Sequence, residues 1–165
     1  KLAPLLDQST DGRVLSVLSA GEHRPYANYG EDPELRRGYS LKAAADSAGF
    51  YNDIAVEQMS LEHPKVSFLH ACPGFVATNW GTEMPAPVRF VVRALQLFGR
   101  SKEDCGDLMC KGLTSEKYKG GGWHLLDQYG EATPKVTALH DTAKSEVWAH
   151  TKRVIDKLGS VSEGN

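Results

Sequence analysis

Short apolar runs bounded by glycine or proline recur along this chain of 165 residues, and their alternation with longer helical patterns constrains the fold most. Three of them have the length and flanks of buried strands: residues 13–19 (RVLSVLS), 66–72 (VSFLHAC) and 123–126 (WHLL). Strands that alternate with helices form parallel sheets with right-handed crossovers. The order therefore predicts an α/β fold with a parallel sheet of about three strands, flanked by helices.

Helical patterns fill the intervals between these runs. Over residues 39–62, the spacing of alanines with Tyr51 and Met59 indicates one helical face, and Ile54 and Val56 lie beside it. Residues 86–98 and 101–115 indicate two more helices, the second capped by Ser101 with Asp104 three residues on. A last helix is predicted to begin at Asp141 or Thr142 and to end at Gly159. Residues 20–38 are polar and rich in Gly and Pro, which predicts a long loop.

Charge and hydropathy exclude several classes of partner. The formal net charge is −2, with 19 basic and 21 acidic residues, and no basic stripe stands out, so we expect no nucleic-acid partner. No apolar run approaches the roughly 20 residues that span a bilayer, so we expect no membrane partner. The composition is that of one ordinary globular domain.

Cysteine and histidine spacing gives no metal site. Cys72, Cys105 and Cys110 form no CxxC pair, and the six histidines are scattered, so metal-ligand spacing is absent from the sequence. An odd number of cysteines without an export signal favours free thiols and a cytoplasmic location.

Ligands of open parallel sheets bind at the carboxyl ends of the strands. Here those ends are residues 19–21, residues 72–78 and Asp127, so we expect any site to be built from them.

Three motifs, in this order and spacing, resemble the short-chain dehydrogenase/reductase family. They are RVLSVLSAG, with Ser19 at the position of the family's catalytic serine; GYSLKAAADSAGFYND, similar to its tyrosine-containing helix start; and HACPGFVATNW, similar to its Pro-Gly turn. GGGWHLLDQYGE is similar to the last sheet strand, and SEVWAHTKRVID to the terminal helix of some fungal members. The resemblance covers nearly the whole chain. It implies the C-terminal part of a Rossmann-type domain over residues 1–159, with residues 160–165 as a disordered tail.

The resemblance implies hydride transfer between NAD or NADP and a small alcohol or carbonyl compound. Tyr39 would be the acid/base, Lys42 would lower the pKa of the phenol, and Ser19 would orient the substrate oxygen. Pro73, Gly74, Phe75 and Thr78 would face the cofactor, with Thr78 at the nicotinamide carboxamide.

The chain departs from the family pattern in two places. The family has three residues between Tyr and Lys, whereas only two separate Tyr39 from Lys42. On a helix, a four-residue step returns to about 40° from the same face, and a three-residue step falls about 60° short. The family's glycine-rich phosphate loop follows a first strand, but Gly120–Gly122 precede a strand. We therefore expect the N-terminal, dinucleotide-binding half of the fold to be absent from this chain.

Other interpretations remain beside these. Ser19 and Thr78 have the positions of turn or cap residues, Tyr39 could pack its ring, and Lys42 could be a solvated lysine. The chain would then be a non-catalytic remnant, or an interaction module of the same fold without a cofactor. The alanines at 43–45 form either a tight packing face or, as in the resembling family, a dimer interface, so a homo-oligomer stays open.

Overall fold

The structure, a computed structural model, describes residues 2–79 and 81–162. Its strands are β1 (Gly12–Val17), β2 (Val66–Ala71) and β3 (Gly122–Leu126). Its helices are α1 (Ala3–Gln8), α2 (Leu41–Glu62), α3 (Ala86–Gln96), α4 (Lys102–Thr114) and α5 (Ala138–Ser162), with a short 3₁₀ turn at Glu116–Tyr118.

The three strands form one parallel sheet in the order β1-β2-β3. Val14 pairs with Phe68 across the first pair of strands, and Phe68 pairs with Trp123 across the second. All six residues of β2 are buried, as expected for a central strand covered on both faces. The predicted α/β class with a three-stranded parallel sheet flanked by helices is confirmed.

Helices cover both faces of the sheet. On one face, α2 packs against the side of β2 that carries Val66 and Phe68, and α5 packs outside α2. On the other face, Cys105 and Met109 of α4 pack with Leu69 of β2. Alternate residues of β2 thus belong to two separate cores, and His70 lies on the α2 side. This arrangement brings the carboxyl ends of all three strands to one edge.

Helix α2 begins later than its sequence pattern predicts. The Ser40 side chain accepts a hydrogen bond from the Ala43 N–H and caps a helix whose first residue is Leu41. Tyr39 therefore lies before the helix, in extended chain. Because Tyr39 is not part of the helix, the expected 60° offset between Tyr39 and Lys42 on one helical surface is wrong.

The last helix also departs from its predicted limits. It begins at Ala138 rather than at Asp141 or Thr142, because the His140 ring accepts a hydrogen bond from the Thr137 N–H and supports an earlier first turn. At its other end it continues past Gly159 to Ser162, since glycine inside a helix costs only about 1 kcal/mol. Residues 163–165 of the predicted tail lie outside the described residues.

The buried face of α2 differs from the predicted face. The sequence pattern centres on Ala44, Ala48, Tyr51 and Ala55. The residues that the structure buries are Ser47, Gly49, Phe50, Asp53, Ile54, Val56 and Ser60. The helix is enclosed by the sheet on one side and α5 on the other, so a single apolar stripe does not identify its inner surface.

Among residues 2–79 and 81–162, none of the helices combines the length and hydropathy needed to cross a bilayer.

Candidate functional site

A groove of about 910 Å³ opens at the carboxyl edge of the sheet, between β1, the segment after β2, and α4. Pro73, Gly74, Phe75 and Thr78 all line it. Val17 and Leu18 at the end of β1 form one wall, and Cys105, Gly106 and Met109 of α4 form another, with Lys102 at the start of that helix. The structure thus brings the four residues predicted to face the cofactor into one cleft with mostly apolar walls.

Gly74 shapes the floor of this groove. Its φ of +70° is a left-handed conformation that glycine adopts without a steric penalty. A Cβ at this position would lie 2.4 Å from Oε1 of Gln128. The absence of a side chain therefore favours the sharp turn after β2 and its close approach to Gln128, whose Cβ would lie 3.0 Å from the added atom.

Ser19 lies two residues beyond β1 and is turned inward. It is 9% exposed, and its Oγ has no hydrogen-bond partner among the described residues. A Cβ added to Gly49 of α2 would lie 2.9 Å from this Oγ and 3.2 Å from Cδ2 of His23. The hydroxyl is thus enclosed between the end of β1 and helix α2.

A buried histidine holds the backbone of Ser19. The Ser19 N–H donates to Nε2 of His70 on β2 at 3.1 Å. Because a backbone amide can only donate, Nε2 is the acceptor nitrogen and the ring proton lies on Nδ1. Nδ1–H in turn donates to Oδ1 of Asp53 on α2, at 2.6 Å. Both side chains are almost completely buried.

The second carboxylate oxygen of Asp53, Oδ2, also lies close to hydrogen-bond donors. The Gly21 N–H donates to Oδ2 at 3.2 Å, and Nε2 of His140 on α5 lies 3.5 Å from the same atom. The His140 distance is at the long limit of a hydrogen bond, so this contact is mainly electrostatic. Burial raises the pKa of Asp53, but its interactions with His140 and His70 outweigh that effect and lower the pKa below the ordinary value of 3.8. The carboxylate is therefore ionised at neutral pH.

Tyr39 and Lys42 are not joined to each other or to Ser19 by any hydrogen bond or ion pair in the described part of the chain. The Tyr39 side chain is 69% exposed. Lys42 forms an ion pair with Asp46 one helical turn along α2, and this contact lowers the pKa of Asp46. In this conformation the lysine ammonium is committed to a carboxylate.

Sequence reasoning missed the Asp53 network. Two signals were available: His70 is the one strongly polar side chain in the apolar run VSFLHAC, and Asp53 stands beside Ile54 in the helical pattern. A polar group inside an apolar element is buried only when it has a partner. The apolar surroundings indicate that each of the two residues is buried with a partner. They do not identify that partner, because it lies on a different secondary-structure element. The described residues contain no cluster of three or more His, Cys, Asp or Glu side chains suited to a metal ion.

The close contact at Gly49 gives a testable consequence. We expect Gly49→Ala to destabilise the protein by about 1–3 kcal/mol, because the new methyl group would displace the Ser19 hydroxyl or the His23 ring. Gly106→Ala in α4 is the matched control, since nothing lies within 4 Å of its Cβ position. Gly106→Ala should raise the free energy of unfolding by up to about 1 kcal/mol, because alanine has a higher helix propensity than glycine. Urea unfolding measures both; equal stabilisation by the two changes would contradict the contact.

Comparison with known proteins gives matches to fungal oxidoreductases. The chain is 27% identical, over 94% of its length, to the protein named oxidoreductase AN1596 from Emericella nidulans, and the match covers 57% of that relative. It is 22% identical, over 93% of its length, to notO from Aspergillus sp., named as an NmrA-like family domain-containing oxidoreductase, and covers 52% of it. A stretch holding 41% of the chain is 31% identical to oxidoreductase lepF from Aspergillus flavus, over 19% of that protein.

The chain spans about half the length of the first two of these relatives. No protein-family model and no solved structure matches it. Over nearly its whole length, the chain is similar to fungal proteins that are named as oxidoreductases.

Proposed function

We propose that this chain forms the nicotinamide-side and substrate-side part of an NAD(P)-dependent oxidoreductase that acts on a small alcohol or carbonyl compound. The observation that carries the proposal is the groove at the carboxyl edge of the parallel sheet, which gathers Pro73, Gly74, Phe75 and Thr78. Sheets of this kind bind ligands at that edge. The similarity to proteins named oxidoreductases supports the reaction class.

Most of the groove suits a nicotinamide ring, and Lys102 at the start of α4 is the one charged side chain among the described residues of its lining. Its walls are largely apolar, as expected for a flat aromatic ring, and Thr78 offers a hydroxyl to a carboxamide. In dinucleotide-binding folds the phosphates are bound by backbone N–H groups at a glycine-rich turn between a strand and a helix. Gly120–Gly122 lead into β3 instead. We therefore propose that the phosphates are bound by a segment that corresponds to the part of the relatives this chain does not match.

Within this proposal, the bound dinucleotide supplies or accepts the hydride. Ser19 holds the substrate oxygen, Tyr39 exchanges the proton with it, and Lys42 favours the phenolate. Two local changes would be required from the conformation described above. The Ser19 side chain has to rotate away from Gly49, and the Lys42 ammonium has to leave Asp46. In addition, Ser19, Tyr39 and Lys42 do not line the groove in this conformation, so these side chains would have to come close to a substrate bound there.

Dinucleotide binding by the chain alone should be weak. We expect no saturation when NADH or NADPH is titrated to micromolar concentrations, because residues 2–79 and 81–162 include no glycine-rich turn that leads from a strand into a helix. Nicotinamide fluorescence measures the binding. Micromolar affinity would contradict the assignment of the phosphates to another segment.

Hydride transfer itself is tested in a chimera in which this chain replaces the segment that it matches in oxidoreductase AN1596. With a panel of aldehydes and ketones, we expect oxidation of NADH or NADPH. Tyr39→Phe should lower kcat at least about a hundredfold, as loss of a general acid does. Tyr29→Phe is the matched control and should leave kcat unchanged, since Tyr29 lies in a separate core cluster.

The second candidate is an interaction module of the same fold that does not catalyse hydride transfer. The exposure of Tyr39 and the pairing of Lys42 with Asp46 favour it. A chimera that binds the dinucleotide but oxidises none of it, with or without Tyr39, would support this alternative and contradict the enzyme proposal.

A further inference from the structure

The segment that follows β1 is held by side chains from two other elements. Its Ser19 N–H donates to His70 of β2, and its Gly21 N–H donates to Asp53 of α2. The two side chains are joined by the hydrogen bond from His70 Nδ1–H to Asp53 Oδ1. One buried pair thus accepts two backbone amides that lie two residues apart.

Both side chains of the pair belong to this chain, and both are shielded from water. His70 is 0% exposed and Asp53 is 4% exposed. Each nitrogen of the His70 ring has one partner, and each oxygen of Asp53 faces at least one donor. Hydrogen bonds to a buried carboxylate are stronger than those between neutral groups, and their geometry is correspondingly well defined.

We propose that His70 and Asp53 are positioning residues, which fix the backbone of residues 19–21 and thereby the place from which the Ser19 hydroxyl can reach a substrate. The purpose assigned to the pair rests on the proposed function, in which Ser19 contacts the substrate oxygen. The hydrogen-bond arrangement does not rest on it. His70 and Asp53 themselves touch no reacting atom.

Two substitutions of His70 separate the two ends of the pair. The carboxamide of His70→Gln reaches the position of Nε2, so its oxygen can accept the Ser19 N–H, but it leaves Asp53 without the Nδ1–H donor. The carboxamide of His70→Asn stays near the position of Nδ1, where its NH₂ group can donate to Asp53, but it leaves the Ser19 N–H without an acceptor.

The test is residue-resolved amide hydrogen exchange by NMR on the 165-residue chain. In His70→Asn we expect exchange at Ser19 to become about tenfold faster, the equivalent of one lost hydrogen bond, with Gly21 little changed. In His70→Gln we expect Ser19 to recover its protection and Gly21 to exchange faster. His124→Gln is the control, because His124 of β3 is half-buried against Tyr118 of the 3₁₀ turn, and its replacement should change neither amide. Long-range nitrogen spectra should show the His70 proton on Nδ1 in the unmodified chain.

Equal exchange at Ser19 in the two His70 variants would overturn the proposal, because a residue that only fills the core would not distinguish the two carboxamides. Faster exchange spread evenly over β2 and β3 would overturn it too, since it would indicate general loosening. A His70 proton on Nε2 would also contradict it. No cofactor or substrate enters these measurements, so failure here is separate from failure of hydride transfer in the chimera.

Discussion

Replacement of Asp53 by asparagine is expected to lower the free energy of unfolding by about 3 kcal/mol. The carboxylate accepts from His70 Nδ1–H at one oxygen and from the Gly21 N–H at the other. An asparagine has one acceptor oxygen, so its NH₂ group would face another donor. A buried donor without an acceptor keeps its desolvation cost.

Asp107→Asn is the matched control for this change. Asp107 is an exposed residue in the middle of α4, and the described residues include no hydrogen-bond or ion-pair partner for it. We expect it to change stability by less than about 0.5 kcal/mol. Denaturant unfolding at neutral pH measures both variants, and similar values for the two would show that the buried network contributes little.

The Asp53 network also implies a pH dependence with a definite sign. Interactions with the two histidines hold the pKa of Asp53 below 3.8 in the folded state. A lowered pKa means stabilisation that is fully present above the unfolded pKa and lost as the pH falls through the folded pKa. The stability difference between the unmodified chain and Asp53→Asn should therefore be constant near neutral pH and should shrink below about pH 4. A difference that grows on acidification would contradict the direction of the shift.

Gly121→Ala is expected to have an effect of similar size for a steric reason. Gly121 has a φ of +94°, and a Cβ there would lie 2.0 Å from the carbonyl oxygen of Pro64. The left-handed conformation alone costs a residue with a side chain about 1–2 kcal/mol. Displacing the backbone at the turn between α2 and β2 adds an overpacking cost of about 1–3 kcal/mol. Together these should lower the free energy of unfolding by about 3 kcal/mol.

The neighbouring glycine separates the two costs. Gly120 has a φ of +93°, but nothing lies within 4 Å of its Cβ position. Gly120→Ala should therefore lose only the conformational part, about 1–2 kcal/mol. The difference between the two variants measures the contact with Pro64. If Gly120→Ala proved as damaging as Gly121→Ala, the close approach of residue 121 to this turn would be wrong.

The strands and the position of the groove could be predicted from the sequence because each depends on a short stretch of neighbouring residues. Each strand is a short apolar run with glycine or proline close to at least one of its ends, and the Pro73–Gly74 turn necessarily lies at the carboxyl edge of a parallel sheet. Residues just beyond it therefore had to line that edge. The assignment of Thr78 to a carboxamide, like the catalytic roles of Ser19 and Tyr39, remains a prediction.

The parts that the sequence did not reveal depend on contacts between distant elements. His70 and Asp53 meet because β2 lies beneath α2, and neither residue identifies the other in the sequence. The start of α2 was misplaced because the helical pattern was extended back to Tyr39, whereas Ser40 caps the helix and Leu41 is its first residue. The buried face of α2 was misplaced because the helix packs against the sheet on one side and against α5 on the other. Helical periodicity identifies a single apolar face.

The most direct test of the proposed function is an NMR titration of the labelled chain with reduced nicotinamide mononucleotide and, separately, with NADH. We expect weak binding of the mononucleotide, with amide shifts concentrated at residues 74–76, Thr78, Val17 and Leu18, which line the groove. NADH should give the same shifts and little additional affinity, because the described residues offer its second phosphate no glycine-rich turn between a strand and a helix. Shifts outside the groove, or none with either ligand, would contradict the proposal that this edge of the sheet receives the nicotinamide.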